Sequence, residues 1–225
     1  MTRTAYNGCV ISQLGAVLGD RSAQVREVRR VLDRYLVEIV EHYELCPWAR
    51  TSRTGGELAV EILWGPPTVE DWVAASERAF ASSAIRVAML VAPELAITRN
   101  ELHGVRDRVA KRAGSLGIAE FHPGATFDGQ TPARLVPFLR RAPDPLLQCV
   151  PLSLLDHVRG PPLTVDRSAQ IAMLVKAGGI MAVKPPIADR IATANHARVS
   201  QHEVEAKLTA TIEDRSATYA RLGIA

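Results

Sequence analysis

The clearest pattern in the chain begins at Ser22, where Val25, Val28, Leu32, Tyr35, Leu36, Ile39 and Tyr43 recur at steps of three and four residues. That spacing lays one apolar stripe along a helix, turns it to a core and leaves the intervening Arg, Glu and Asp to water; Pro47 is expected to stop it. Upstream, residues 1–21 carry Gly8, Gly15 and Gly19 without a period and read as a loose arm or a weak first helix. Downstream the period changes. Leu58–Trp64 (LAVEILW) is a continuous apolar run closed by Gly65-Pro66-Pro67, which predicts a strand, and Thr68 with Asp71 three residues on marks the start of a helix. Ile85–Val91 predicts a second strand, and Thr98 with Glu101 is a capping box ahead of a helix burying Leu102, Val105, Val109, Ala113 and Leu116. Gly117–Phe121 is a third short strand.

Three strands separated by two helices long enough to return the chain predict an α/β fold, a βαβαβ sheet of three or more strands packed with helices. A ferredoxin-like α+β layer with antiparallel pairing is the alternative. Beyond the third strand the pattern is helical and broken by proline. Thr131-Pro132 and Pro151 open short helices, Val165–Ala177 forms another that ends at Gly178-Gly179, and Ser200 with Glu203 caps a last one. In that last helix Val204, Leu208, Ile212 and Tyr219 face inward and Gly223 lies past the end. The expected division is an α/β core over residues 22–160 and a helical extension over 161–225 that docks on the core or on a partner.

Composition narrows the class without naming an activity. In 225 residues, 47% are hydrophobic and 23% charged, which excludes disordered and collagenous chains. The net charge of +3 comes without any block of five like charges, so neither a nucleic-acid nor an acidic-membrane surface is expected. Cys9, Cys46 and Cys149 are odd in number and lack C-x-x-C spacing, against a disulfide framework or a cysteine zinc site. No apolar run of ~18 residues and no secretory leader pattern occurs, so cytoplasmic residence is the expectation. No phosphate loop, dinucleotide fingerprint or serine-hydrolase elbow is present, and the cofactor is left unspecified.

Chemistry-bearing side chains gather beside Pro and Gly in three segments: Leu45-Cys46-Pro47-Trp48-Ala49, Phe121-His122-Pro123-Gly124 with Phe127-Asp128-Gly129, and Arg140-Arg141-Ala142-Pro143-Asp144-Pro145. At these segments, over roughly residues 30 to 158, the chain resembles a family of uncharacterised bacterial proteins known as domain of unknown function 1415. The resemblance lies in the order of a helix running into C-P-W-A, a strand ending in Pro93, the F-H-P motif with Phe127 and Gly129, and the R-A-P-D-P segment. The chain departs from the family at Gln148-Cys149-Val150-Pro151, where the family carries a His and an Arg. The resemblance implies a fold and a site rather than a reaction.

A thiolate is a strong nucleophile near neutral pH and a nearby imidazole is the usual way to form one, so Cys46, His122 and Asp128 are the candidate nucleophile, base and orienting carboxylate. Cys46 is equally open to a buried structural role or to metal ligation, and His122 and Asp128 to tying down their own turn. Arg140 and Arg141 stand before a Pro-x-Pro segment, where a guanidinium on a stiff loop suits a carboxylate or phosphate, and Trp48 joins them as candidate pocket wall. The leading expectation is Cys/His-based acyl or thiol transfer, or hydrolysis, on a small anionic substrate bound at the C-terminal ends of the strands. One rival is a binding module or accessory subunit meeting a partner protein or a second copy through residues 185–222. The other is a metal-dependent enzyme using His122 with Asp128 or Cys46.

Overall fold

A computed structural model describes residues 4–6, 9–14, 21–46, 48–125, 130–132, 140–159, 193–197 and 201–224. Its centre is the run read as the first strand. Leu58–Leu63 (β3) is buried at every position, which explains why it is apolar throughout rather than alternating. The exception is Glu61, whose carboxylate meets Arg78 at 3.1 Å. To one side β3 pairs in parallel with Cys9–Leu14 (β2), and Thr4–Tyr6 (β1) adds an antiparallel edge. The N-terminal stretch thus supplies two strands rather than the expected loose arm or helix. To the other side β3 pairs in parallel with Val87–Val91 (β4).

Leu116–Phe121 (β5) runs in the same direction as β4, as a βαβ crossover requires, but does not touch it. Leu146–Pro151 (β6) lies between them, antiparallel to both, giving the order β1-β2-β3-β4-β6-β5. The fold is therefore the predicted mixture of helices and a sheet, with the sheet mixed and larger than the three strands legible in the pattern.

Helices cover both faces. Val69–Ala79 (α3) and Arg99–Arg112 (α4) start at Thr68 and Thr98, and both capping boxes form as expected, with Asp71 and Glu101 returning the hydrogen bond. They pack Trp72, Ala75, Leu102 and Val109 against Ala59, Leu63, Leu90 and Cys149 of the sheet. On the other face lie Ser22–Tyr35 (α1), the short helix Ala49–Thr54 (α2), Leu152–Arg159 (α5) and Gln201–Leu222 (α6). Gly117 lacks the Cβ that would run into Leu155, so α5 lies directly on β5.

The stripe on α1 is buried as the spacing predicts. At Leu36 the helix widens into a π-helical segment, Leu36–Glu41, and the chain leaves helical geometry through Glu44 at φ 51°, before Pro47 is reached. The last helix rests on α1. Asp214 accepts from Arg30 at 2.8 Å and Arg34 at 2.9 Å. Arg215 donates to Asp144 at 2.6 Å and Tyr219 donates to the same carboxylate at 2.8 Å. Val204, Leu208, Tyr219 and Ile224 join the core. No described helix is long and apolar enough to cross a membrane.

Candidate functional site

The three segments picked out for their chemistry come together around one cavity. It lies between the sheet face and the roof made by α1 with its π segment, and measures about 200 Å³. Leu45, Cys46, Trp48 and Ala49 line it from the first segment, Phe121 from the second and Arg140 from the third. Leu58, Val87, Met89 and Gln148 form the floor. The second and third segments are also joined directly: the His122 N–H donates to the Arg140 carbonyl at 3.0 Å, and Arg141 Nε donates to the Pro123 carbonyl at 2.9 Å.

The local backbone explains the shape. In the π segment each turn takes one residue more than an α-turn; the Leu45 N–H closes it on the Val40 carbonyl at 2.9 Å. The wider turn and the reversal at Glu44 carry the chain across the sheet instead of along it. The segment is anchored by Glu41, which is buried yet paired with Arg53 at 2.6 Å and Arg50 at 3.4 Å. Arg53 above all, opposed by burial and helped by Arg50, holds the Glu41 carboxyl below its ordinary value. Glu41 is thereby committed to an ion pair, and His42 is exposed.

Cys46 sits on the cavity wall, partly buried. Burial pushes its thiol above the ordinary value, while the backbone N–H groups of Trp48 and Ala49 pull in the opposite direction without winning. Cys46 stands three residues ahead of Ala49, the first residue of α2. Cys149, on the opposite sheet face, is fully buried and its thiol is pushed up to about 12.

His122 occupies a different place from the one a Cys46 base would need. Its Nδ1 accepts from the Gly124 N–H at 2.9 Å, so the ring proton is on Nε2, which donates to the Ile97 carbonyl at 2.8 Å. Both ring nitrogens are committed to main chain, and the ring ties the turn after β5 to the loop before α4. A Cβ on residue 124 would stand 3.1 Å from Nδ1, a tight approach that glycine avoids. Asp128, with Phe127 and Gly129, lies outside the described residues. The C-terminal ends of β3 and β4, where the pocket was expected, are closed instead: Glu94 accepts from Arg21 at 2.8 Å and from the Gly65 N–H at 2.8 Å, and Arg21 stacks over Trp64.

The two arginines part company. Arg141 is spent on the Pro123 carbonyl and does not line the cavity. Arg140 does line it, and no side-chain hydrogen bond or ion pair engages its guanidinium among the described residues. Burial first, offset by the Glu120 carboxylate and reinforced by Arg106 and Arg99, lowers its pKa from 12.5. Trp48 stands at the cavity with 45% of its surface exposed.

Tyr35, Gln148 and Asn195 line the cavity but were not singled out in the sequence as site residues. Tyr35 read as a core position of the α1 stripe, Gln148 as a departure from a family motif, and Asn195 as part of the extension. Gln148 alone left a trace, as a polar residue inside the apolar run LLQCV. No group of three or more His, Cys, Asp and Glu side chains suited to a metal occurs among the described residues. No family model, no curated protein and no solved structure matches this chain.

Proposed function

We propose that this chain binds a small apolar acid in the cavity beneath α1, with the anionic group of the ligand against Arg140 and its body along Val87, Met89 and Phe121. The observation that carries this reading is Arg140, a partly buried residue lining an otherwise largely apolar cavity, whose guanidinium has no hydrogen bond or ion pair among the described residues. A guanidinium removed from water and left without an anion is costly, and a ligand carboxylate or phosphate meets it with two parallel charge-assisted hydrogen bonds. An apolar body then gains from leaving water, as ligand sites of this kind commonly do. The resemblance to domain of unknown function 1415 in motif order fits this reading, since the C-P-W-A and F-H-P segments border this space and Arg140 stands directly before the R-A-P-D-P segment.

The test is calorimetric titration of the purified protein with hexanoate and benzoate, each beside its uncharged alcohol. The acids bind and the alcohols do not, and Arg140→Gln weakens the acids by roughly 10- to 100-fold. Arg141→Gln leaves their affinity within about twofold, since that side chain serves the loop. Acids that bind Arg140→Gln as tightly as the native chain would overturn the assignment.

A second reading, covalent chemistry at Cys46, is favoured by one observation: the sulfur borders the same cavity and faces the N–H groups of Trp48 and Ala49. In it the Cys46 thiol attacks an acyl carbon, the leaving group departs with the thiol proton, and water releases the acid. The base is unassigned, because His122 holds its proton on Nε2 against Ile97. Iodoacetamide labelling decides whether the thiol is available. Cys46 modified faster than Cys149 in the folded protein, and protected by hexanoate, supports this reading; Cys46 inert until unfolding ends it.

A further inference from the structure

Two residues that line the cavity each carry a buried hydrogen-bonding atom without a partner among the described residues. Tyr35 is fully buried and lines the cavity, and its hydroxyl has no hydrogen-bond partner among the described residues. Asn195, 3% exposed, lines the same cavity. Its Nδ2 donates to the Leu45 carbonyl at 3.4 Å, but its Oδ1 has no partner among the described residues. Buried polar atoms are nearly always paired, so an orphan on a residue that borders open space calls for a partner from whatever occupies that space.

The identities of the orphans define the partner. Asn195 Oδ1 only accepts, so it needs a donor; the Tyr35 hydroxyl both donates and accepts; Arg140 only donates. A ligand ketone or ether answers Tyr35 and fails Asn195. A ligand ammonium answers Asn195 but brings a second cation into the cavity that Arg140 lines. A hydroxyl donates and accepts at once and carries no charge. We infer that the occupant is a hydroxy acid: its anionic group at Arg140, an apolar body over the sheet, and a hydroxyl apart from the acid that answers Tyr35 and Asn195. This rests on the anionic-ligand reading above and adds the second functional group.

Paired titrations test it: hexanoate against ω-hydroxyhexanoate, and benzoate against meta-hydroxybenzoate, on the native chain, Tyr35→Phe and Asn195→Ala. In at least one pair the hydroxylated member binds the native chain more tightly by roughly tenfold, the worth of well-made hydrogen bonds. Tyr35→Phe, which keeps the ring in place, shrinks that preference to about twofold while binding the plain acid as well as the native chain does. Plain acids that bind through Arg140 with no preference for a hydroxyl would sink the hydroxy acid and leave the anion site standing. A preference that survives in Tyr35→Phe and in Asn195→Ala also sinks it. If no member of either pair binds, both readings fall.

Discussion

Trp72 and Tyr35 are fully buried aromatic side chains on opposite faces of one sheet, and each carries a polar atom, the indole N–H or the phenol hydroxyl, without a partner among the described residues. Around Trp72 the layer is closed: α3 and α4 fill the space with Ala75, Leu102 and Val109 against Leu63 and Leu90. Around Tyr35 it is open, with a cavity of about 200 Å³ bounded by stretches of chain far apart in sequence. The orphan atom is therefore not the signal of a ligand. What distinguishes Tyr35 is that its orphan belongs to a residue bordering space another molecule can fill.

The difference follows from connectivity. On the closed face each helix is the crossover between successive strands, started by a capping box and pressed onto the strands it joins. On the open face α1 enters from the N-terminal side, the 45–52 segment crosses over, and α6 arrives from the far end of the chain. These pieces share an apolar core and are also tied by ion pairs: Arg30 and Arg34 with Asp214, Arg215 with Asp144, Arg53 with Glu41.

The sharpest way to break this comparison is Trp72→Ala, expected to cost about 3–5 kcal/mol in urea unfolding, because a closed layer cannot collapse around so large a loss. A cost under about 1 kcal/mol would mean that the closed face is not closed. Asp144→Ala comes next at about 3 kcal/mol, since it leaves Arg215 and the Tyr219 hydroxyl without their shared acceptor. Unchanged stability would remove the latch that ties α6 to the Arg140 loop.

Asp214→Asn is expected to cost about 1 kcal/mol at pH 7, as its pairs are partly solvated. The hydrogen bonds from Arg30, and then Arg34, hold the Asp214 carboxyl well below its ordinary 3.8. The group's contribution is therefore complete above that unfolded value and is lost as pH falls through the lowered folded value. The gap between the native chain and Asp214→Asn closes in acid; a gap that widens there would reverse the assignment. The smallest effect belongs to Tyr35→Phe, which removes an unpaired hydroxyl and changes stability by no more than about 0.5 kcal/mol in either direction. A loss of 2 kcal/mol or so would show that the hydroxyl has a structural partner.

Much of the closed face was legible because it is local. Thr68 with Asp71 and Thr98 with Glu101 announce their helices within four residues, and Leu58–Leu63 announces a strand by its unbroken apolar run. The strand β6 was not legible. Its six residues follow Pro143 and Pro145 and end at Pro151, and nothing in them reports that they slot between β4 and β5. The N-terminal strands were hidden for a related reason, since β2 is a strand only because β3 offers it an edge. Among the candidate site residues, Cys46, Trp48 and Arg140 reach the cavity, whereas His122 and Arg141 spend their polar atoms on the turns beside it.

The order of residues by itself determined the α/β class, the helix starts and the three segments that border the cavity, because period, capping and Pro/Gly punctuation act over a few neighbouring residues. Tertiary structure alone decided the sheet order, the tautomer of His122, which of the two arginines lines the cavity, and the placing of Tyr35 and Asn195 on one cavity across 160 residues of chain. Those outcomes depend on strand pairing and on which polar atoms find partners after packing, and both are settled between segments too distant for any local pattern to report.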